Sequence, residues 1–129
     1  MVSGEASRVG ERGAQGFPAG RRLRRRPEYL HAYESGRRLS GRLVVVFACA
    51  GEGTGPRLGV TVTKKVGSAV VRNRLRRRVR EIFRRTREVA AARPCDVVVN
   101  VSPRAATTSF AALRAELEPL LVRATRSLA

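Results

Sequence analysis

The sequence predicts an α+β fold, a two-layer α/β sandwich in which a small mixed sheet of three or four strands packs against three helices. Three observations carry this expectation. Leu43 to Ala50 and Cys95 to Val101 are apolar, β-branched runs of strand length. Arg57 to Thr63 alternates, with Leu58, Val60 and Val62 on one side and Arg57, Gly59, Thr61 and Thr63 on the other, the pattern of a half-buried strand. Downstream of Ser68, and again from Phe110, apolar residues recur at helical spacing. The resulting order is α-β-β(-β)-α-β-α, and elements in that order close a core by laying helices on a sheet.

Each element follows from local chemistry. Residues 1–20 are rich in Gly, Ala, Ser and Arg without periodicity and read as a disordered tail, leaving 21–126 as one domain. Arg21 to Arg26 is a basic arm. Pro27 suits a first helical position and Gly36 a terminator, which defines a short helix over Pro27 to Ser35 with Tyr29 and Tyr33 on one face. Leu39 falls where a short strand would bring the strand count to four. Gly51 to Pro56 is turn-rich. Ser68 caps a helix expected to run to about Ala91, and Pro94 stops any continuation. Cys95, Val97, Val99 and Val101 share one face of the next strand. Phe110, Leu113, Leu117, Leu120, Leu121 and Ala124 form the stripe of the last helix, with caps available from Thr107 to Ser109 and a kink expected at Pro119.

Composition narrows the function. The formal charge is +17 in 129 residues, and nearly all of the cations are arginine, Lys64 and Lys65 being the only lysines. A surplus of this size says little about fold and much about attraction to polyanions. Acidic groups are scarce, with Asp96 the single aspartate, and no carboxylate cluster able to hold two divalent ions is visible. No metal-ligating or catalytic set is therefore assigned to the protein. His31 is the only histidine, and Cys49 and Cys95 sit in strand-like runs as small buried hydrophobes. Arg21-Arg22 lacks the apolar segment of a secretion signal, and no apolar run approaches a membrane span, so a cytoplasmic protein is expected.

The most informative stretch is Lys64 to Arg80, which carries Lys64, Lys65, Arg72, Arg74, Arg76, Arg77, Arg78 and Arg80. At 100° per residue, Val71, Leu75, Val79 and Ile82 fall in one quadrant. Asn73, Arg77, Arg80 and Arg84 lie nearly opposite, flanked by Arg72, Arg74 and Arg76. Like charges four apart cost about 0.2–0.5 kcal/mol each, so the series Arg72, Arg76, Arg80, Arg84 with the pair Arg74 and Arg78 costs roughly 1–2 kcal/mol. A face that is only solvated would mix signs; this one suits a phosphate backbone, and RNA is the leading partner. Asn73 supplies a neutral donor and acceptor among the cations, and Lys64 and Lys65 precede a helix N-terminus, where free amides favour anions.

The run Thr63-Lys-Lys-Val-Gly-Ser-Ala-Val-Val-Arg-Asn-Arg-Leu-Arg-Arg-Arg-Val-Arg80 resembles the Arg-Asn-Arg signature of the bacterial ribonuclease P protein subunit. The likeness extends from about Arg22 to Leu121 through the Tyr29/Tyr33 pair, Arg57-Leu-Gly-Val60 and Asp96-Val-Val-Val99. It implies a protein that binds a catalytic RNA and the 5′ leader of precursor tRNA, with the chemistry and its Mg²⁺ supplied by the RNA, so that no cofactor is held by the protein alone. It implies RNA contacts at Lys64, Lys65, Arg72, Asn73, Arg74, Arg76, Arg77 and Arg80, with arginine at 76 where lysine is commoner. It implies a leader cleft lined by Tyr29, Tyr33 and Phe47, since aromatic faces stack bases with little sequence preference. It also implies a left-handed crossover from strand 57–63 through the long helix to strand 95–101, against the general right-handed preference.

Rival readings remain at this level. The tyrosines could be ordinary core anchors, and the chain a structural ribosomal or general RNA-binding protein without a leader cleft. Neither a DNA nor a membrane partner is expected; the face Val71, Leu75, Val79 suits a sheet better than a lipid surface.

Overall fold

The computed structural model describes residues 21–51, 55–126 and 128, so the segment read as a tail lies outside the described residues. The elements are α1 (Arg26–Ser35), β1 (Arg37–Ser40), β2 (Val44–Ala50), β3 (Arg57–Thr61), α2 (Ala69–Arg85), α3 (Arg87–Ala90), β4 (Cys95–Val101) and α4 (Phe110–Arg126), with 3-10 turns at Lys64–Val66 and Pro103–Thr107. The sheet runs β1-β2-β4-β3; the first two pairings are antiparallel and β3 lies parallel to β4, to which α2 and α3 connect it. The short strand around Leu39 is therefore real and gives the sheet its fourth member.

The period-2 patterns send two sets of side chains to opposite faces. Leu39, Val44, Val46, Ala48, Leu58, Val62, Cys95, Val97, Val99 and Val101 join Leu75, Val79, Ile82 and Phe83 of α2, Val89 of α3 and Leu113, Leu117, Leu120, Leu121 and Ala124 of α4 in the main core. The other face carries α1 and a smaller cluster of Leu23, Ala32, Cys49 and Val98, with Tyr29, Tyr33 and Phe47 packed on it. Cys49 and Cys95 are free and buried on opposite faces, and burial pushes the Cys95 thiol up to about 11. Glu116 of α4 accepts the backbone N–H groups of Arg42, Leu43 and Val44, which ties the β1–β2 hairpin to the helix layer.

Three expectations need correction. The helix expected to reach Ala91 breaks at Thr86, which takes an extended φ of −77° and ψ of 107° before α3 begins. Its buried hydroxyl donates to the Ile82 carbonyl at 2.7 Å, and such side-chain bonds compete with the helical ladder. β3 ends at Thr61 rather than Thr63, because the chain turns into the Lys64–Val66 turn. The second face of β3 is not bare: Gly59 is buried beneath Tyr29. Pro119 is accommodated inside α4 on its exposed side.

Gly59 is a close-approach position, since a Cβ there would lie 2.7 Å from ring atoms of Tyr29. Gly59→Ala should therefore lift the ring off the sheet and cost about 1–3 kcal/mol in a urea titration. An unchanged midpoint would show that Tyr29 does not seat on this glycine.

Candidate nucleic-acid interface

α2 is placed by its start and by its apolar face. Gly67 adopts φ 157° and ψ −163°, a region essentially confined to glycine, and a Cβ there would meet the Val71 side chain at 3.2 Å. Ser68 Oγ then accepts the Val71 N–H, capping the helix. Leu75, Val79, Ile82 and Phe83 are buried, so the cations of this segment cannot share that side.

The guanidinium groups use neutral partners. Arg72 Nε donates to the Gly67 carbonyl, Arg76 donates to Asn73 Oδ1 at 3.0 Å and to the Val62 carbonyl, and Arg78 donates to the Thr108 carbonyl. Among the described residues, the ion pairs of α2 are those of Glu81 with Arg84 and Arg85. Arg84, expected on the free face, is thus neutralised locally, whereas Arg72, Arg74, Arg76, Arg77 and Arg80 are not. Arg74 Nε is buried with no hydrogen-bond partner. Asn73, Arg77, Lys64 and Lys65 are exposed, the lysines in the turn between β3 and α2.

Arg80 departs from the helical wheel, which places it on the solvent side. It is half-buried, and its pKa falls to about 10, first through burial and then through the cations Arg22 and Arg76, with Tyr29 opposing. The reason is tertiary: the arm bridges to the edge of β3 through Arg22 and Leu58, and the Leu23 N–H donates to the Leu58 carbonyl. This brings Arg22 up to α2, and the Arg22 pKa is lowered in turn by burial and by Arg24. Cations brought together and partly desolvated in this way make the Arg80 end of α2 a candidate functional site.

The expected aromatic residues converge on the α1 face. Sheet register aligns Arg38, Phe47, Val98 and Gly59 in one row across the strands, and Ser40, Val45, Asn100 and Thr61 in the next. Tyr33 meets Phe47 edge to face at 4.8 Å between centroids, and the Arg38 guanidinium lies 5.9 Å from the Phe47 centroid. The Tyr33 hydroxyl donates to Asn100 Oδ1 at 2.9 Å and lies 3.2 Å from Thr61 Oγ1. Tyr29 covers Gly59 with its hydroxyl 3.4 Å from the Leu23 carbonyl, and burial raises its pKa. All three rings remain partly exposed, and Tyr29 stands beside Arg80, so the aromatic patch and the cationic stripe are continuous.

The family model described as Ribonuclease P matches residues 17–125. The chain belongs to the ribonuclease P protein family. The ribonuclease P protein component of Acidothermus cellulolyticus is 42% identical over 113 residues, covering 86% of this chain and 93% of the relative. Among solved structures, the Staphylococcus aureus RNase P protein superposes with a TM-score of 0.72 at 28% identity, covering 78% of this chain and 92% of that one. The Thermotoga maritima RNase P protein gives 0.70 at 35% identity, with 79% and 96% covered. The α+β architecture and the Arg-Asn-Arg run at Arg72 to Arg74 thus sit in a ribonuclease P protein.

Several groups in this ribonuclease P protein escape pattern reading. Arg57 donates two hydrogen bonds to Asp96, at 2.9 and 3.0 Å, and a further guanidinium nitrogen pairs with Glu28 at 3.0 Å. Glu28 also accepts the Arg24 and Arg25 N–H groups at 3.1 and 3.0 Å, which holds the basic arm at the start of α1. A Glu at this helical position was a usable signal, the reach-back of a capping box. Asn100 shares its face of β4 with Asp96 and Val98, and alternation alone did not single it out. Among the described residues, no three His, Cys, Asp or Glu side chains gather into a metal-binding set, and no helix is long and apolar enough to cross a membrane.

The Arg25 amide, aided by the Arg24 amide and Arg57, holds the Glu28 carboxyl below its ordinary range, although burial opposes. A lowered carboxylate pKa contributes stability that is fully present above the ordinary value and is lost as pH falls through the lowered one. Glu28→Gln should cost about 0.5–1 kcal/mol near neutrality and flatten the acid limb of the stability curve below about pH 4.5. Parallel acid limbs in wild type and variant would remove Glu28 from this role.

Proposed function

We propose that this ribonuclease P protein holds two RNA segments on one continuous surface: the catalytic RNA along α2 and the 5′ leader of precursor tRNA in the aromatic cleft. The protein is the accessory subunit of an endoribonuclease that matures tRNA 5′ ends, and it works in the cytoplasm, where precursor tRNA is made. The observation that carries this reading is the junction at Tyr29 and Arg80, where the half-buried end of the cationic stripe meets a ring packed on the sheet.

The chemistry follows from what each part offers. Lys64, Lys65, Arg72, Arg74, Arg76, Arg77 and Arg80 neutralise phosphates and release counter-ions, while Asn73 orients Arg76. Tyr29, Tyr33 and Phe47 present ring surface to unpaired bases, worth about 1–3 kcal/mol per stacked base with little preference among them. The leader is gripped by its stacking and backbone, which suits a subunit that must accept many precursor sequences. The carboxylates Glu28, Asp96, Glu81, Glu116 and Glu118 are engaged with arginines or backbone amides, and the hydrolytic Mg²⁺ is assigned in this reading to the RNA partner.

Arg72→Glu with Arg74→Glu should weaken assembly with the catalytic RNA about 10–100-fold in filter binding at fixed salt; unchanged affinity removes the motif from the interface. Tyr29→Ala with Tyr33→Ala should leave RNA assembly intact and cut the preference of the holoenzyme for precursor over mature tRNA by about tenfold or more. If that preference persists, the chain is an RNA-binding subunit without a leader cleft.

A further inference from the structure

Stacking alone does not tell one base from another, yet one group on the cleft floor is built to do so. Asn100 is the central polar residue of the row Ser40, Val45, Asn100, Thr61, and it stands two positions along β4 from Val98, the register partner of Phe47. The Tyr33 hydroxyl has a single proton, and that proton goes to Asn100 Oδ1 at 2.9 Å. The 3.2 Å contact with Thr61 Oγ1 must then be a bond that Tyr33 accepts. The relay Thr61 to Tyr33 to Asn100 fixes the amide plane and its polarity. Asn100 Nδ2 is left with two N–H donors; among the described residues it makes no hydrogen bond, and it is not a buried orphan.

We propose that Asn100 is a specificity-determining residue that reads the edge of one leader base. The inference rests on the leader-cleft reading above and adds a nucleobase edge as the recognised group. Unpaired RNA bases are told apart by hydrogen bonds on their edges, while stacking positions them. Diagonal neighbours on one sheet face have Cβ atoms about 7–8 Å apart, a span that one base ring and one hydrogen bond cover. A base packed against the Phe47 and Tyr33 rings therefore turns its edge toward the amide. The free Nδ2 donors meet a base acceptor, and the second lone pair of Oδ1 takes a neighbouring base N–H. The ring of Tyr33 supports the base, and its hydroxyl positions the reader. Accepting the Tyr33 proton uses only one lone pair of Oδ1, so that anchoring role does not account for the Nδ2 donors.

The test uses the holoenzyme reconstituted with its catalytic RNA and a set of precursor tRNAs carrying each of the four bases, or an abasic site, at every leader position in turn. For the wild type, the Kd values at one position should spread about 5–100-fold among the four bases, the range of a good amide–base pair. Asn100→Val should collapse that spread to within about twofold at that position and leave the other positions unchanged. Asn100→Asp, which keeps the acceptor for Tyr33 but removes the donors, should move the preference at that position toward bases whose edge offers an N–H while weakening all precursors uniformly, and it covers the case in which the valine variant folds poorly. Tyr33→Phe, which keeps the ring and breaks the relay, should reduce the spread at the same position. A base preference left unchanged by both Asn100 variants, or a wild type blind to base identity at every position, overturns the proposal. Equal binding of leaderless and leader-bearing tRNA by the wild type would instead overturn the leader cleft itself.

Discussion

Repulsion among the guanidinium groups of α2 is the constraint around which the rest of the molecule is arranged. Arg72, Arg74, Arg76, Arg77 and Arg80 occupy barely more than two helical turns, and among the described residues none is offset by a carboxylate. The helix holds because Leu75, Val79, Ile82 and Phe83 are buried against the sheet and α4, at about 1.5–3 kcal/mol for each large apolar side chain. That gain exceeds the roughly 1–2 kcal/mol of like-charge cost on the opposite side. The surface is thus kept in a state that an incoming polyanion relieves, and the folding core supplies the free energy that keeps it so.

The arm and α1 extend the same logic to the second face of the sheet. Glu28 and Asp96 hold Arg57 between them, and Glu28 also holds the backbone of Arg24 and Arg25. Two carboxylates of this acid-poor chain are therefore spent on placing its cationic arm, and among the described residues the one that offsets α2, Glu81, pairs with Arg84 and Arg85 and leaves the 72–80 series unpaired. With the arm bridged to β3, Arg22 approaches Arg80, and Tyr29 fills the angle between arm, strand and helix. On the sheet face that carries α1, Phe47, Asn100 and Thr61 stay partly exposed beside Tyr33.

Much of this was legible from the sequence, and the remainder fails for identifiable reasons. Strand and helix periods depend on neighbours in sequence, so the strands around Val46 and Val99, the α2 start at Ser68 and the α4 stripe could all be read directly. The break at Thr86 turns on one side-chain bond to Ile82, a local competition that apolar spacing does not register. Arg80 was misplaced because a helical wheel knows only its own helix, whereas its burial comes from an arm some 58 positions earlier in sequence at Arg22. Gly59 was assigned to an open face for the same reason, since Tyr29 reaches it from another element. The site residues named from the family signature converge in space, but the hydrogen-bond relay through Tyr33 depends on the pairing of β4 with β3. Sequence spacing does not specify that pairing.

The central claim, that the α2 cations await phosphates, is tested most directly by the salt dependence of affinity for the catalytic RNA. Each neutralised phosphate contributes about −0.7 to −0.9 to the slope of log K against log salt. Engagement of at least five phosphates by the lysines and arginines of the 64–80 segment predicts a slope of about −4 or steeper. A slope shallower than about −1 would mean that these cations do not meet the RNA backbone, and would contradict the account.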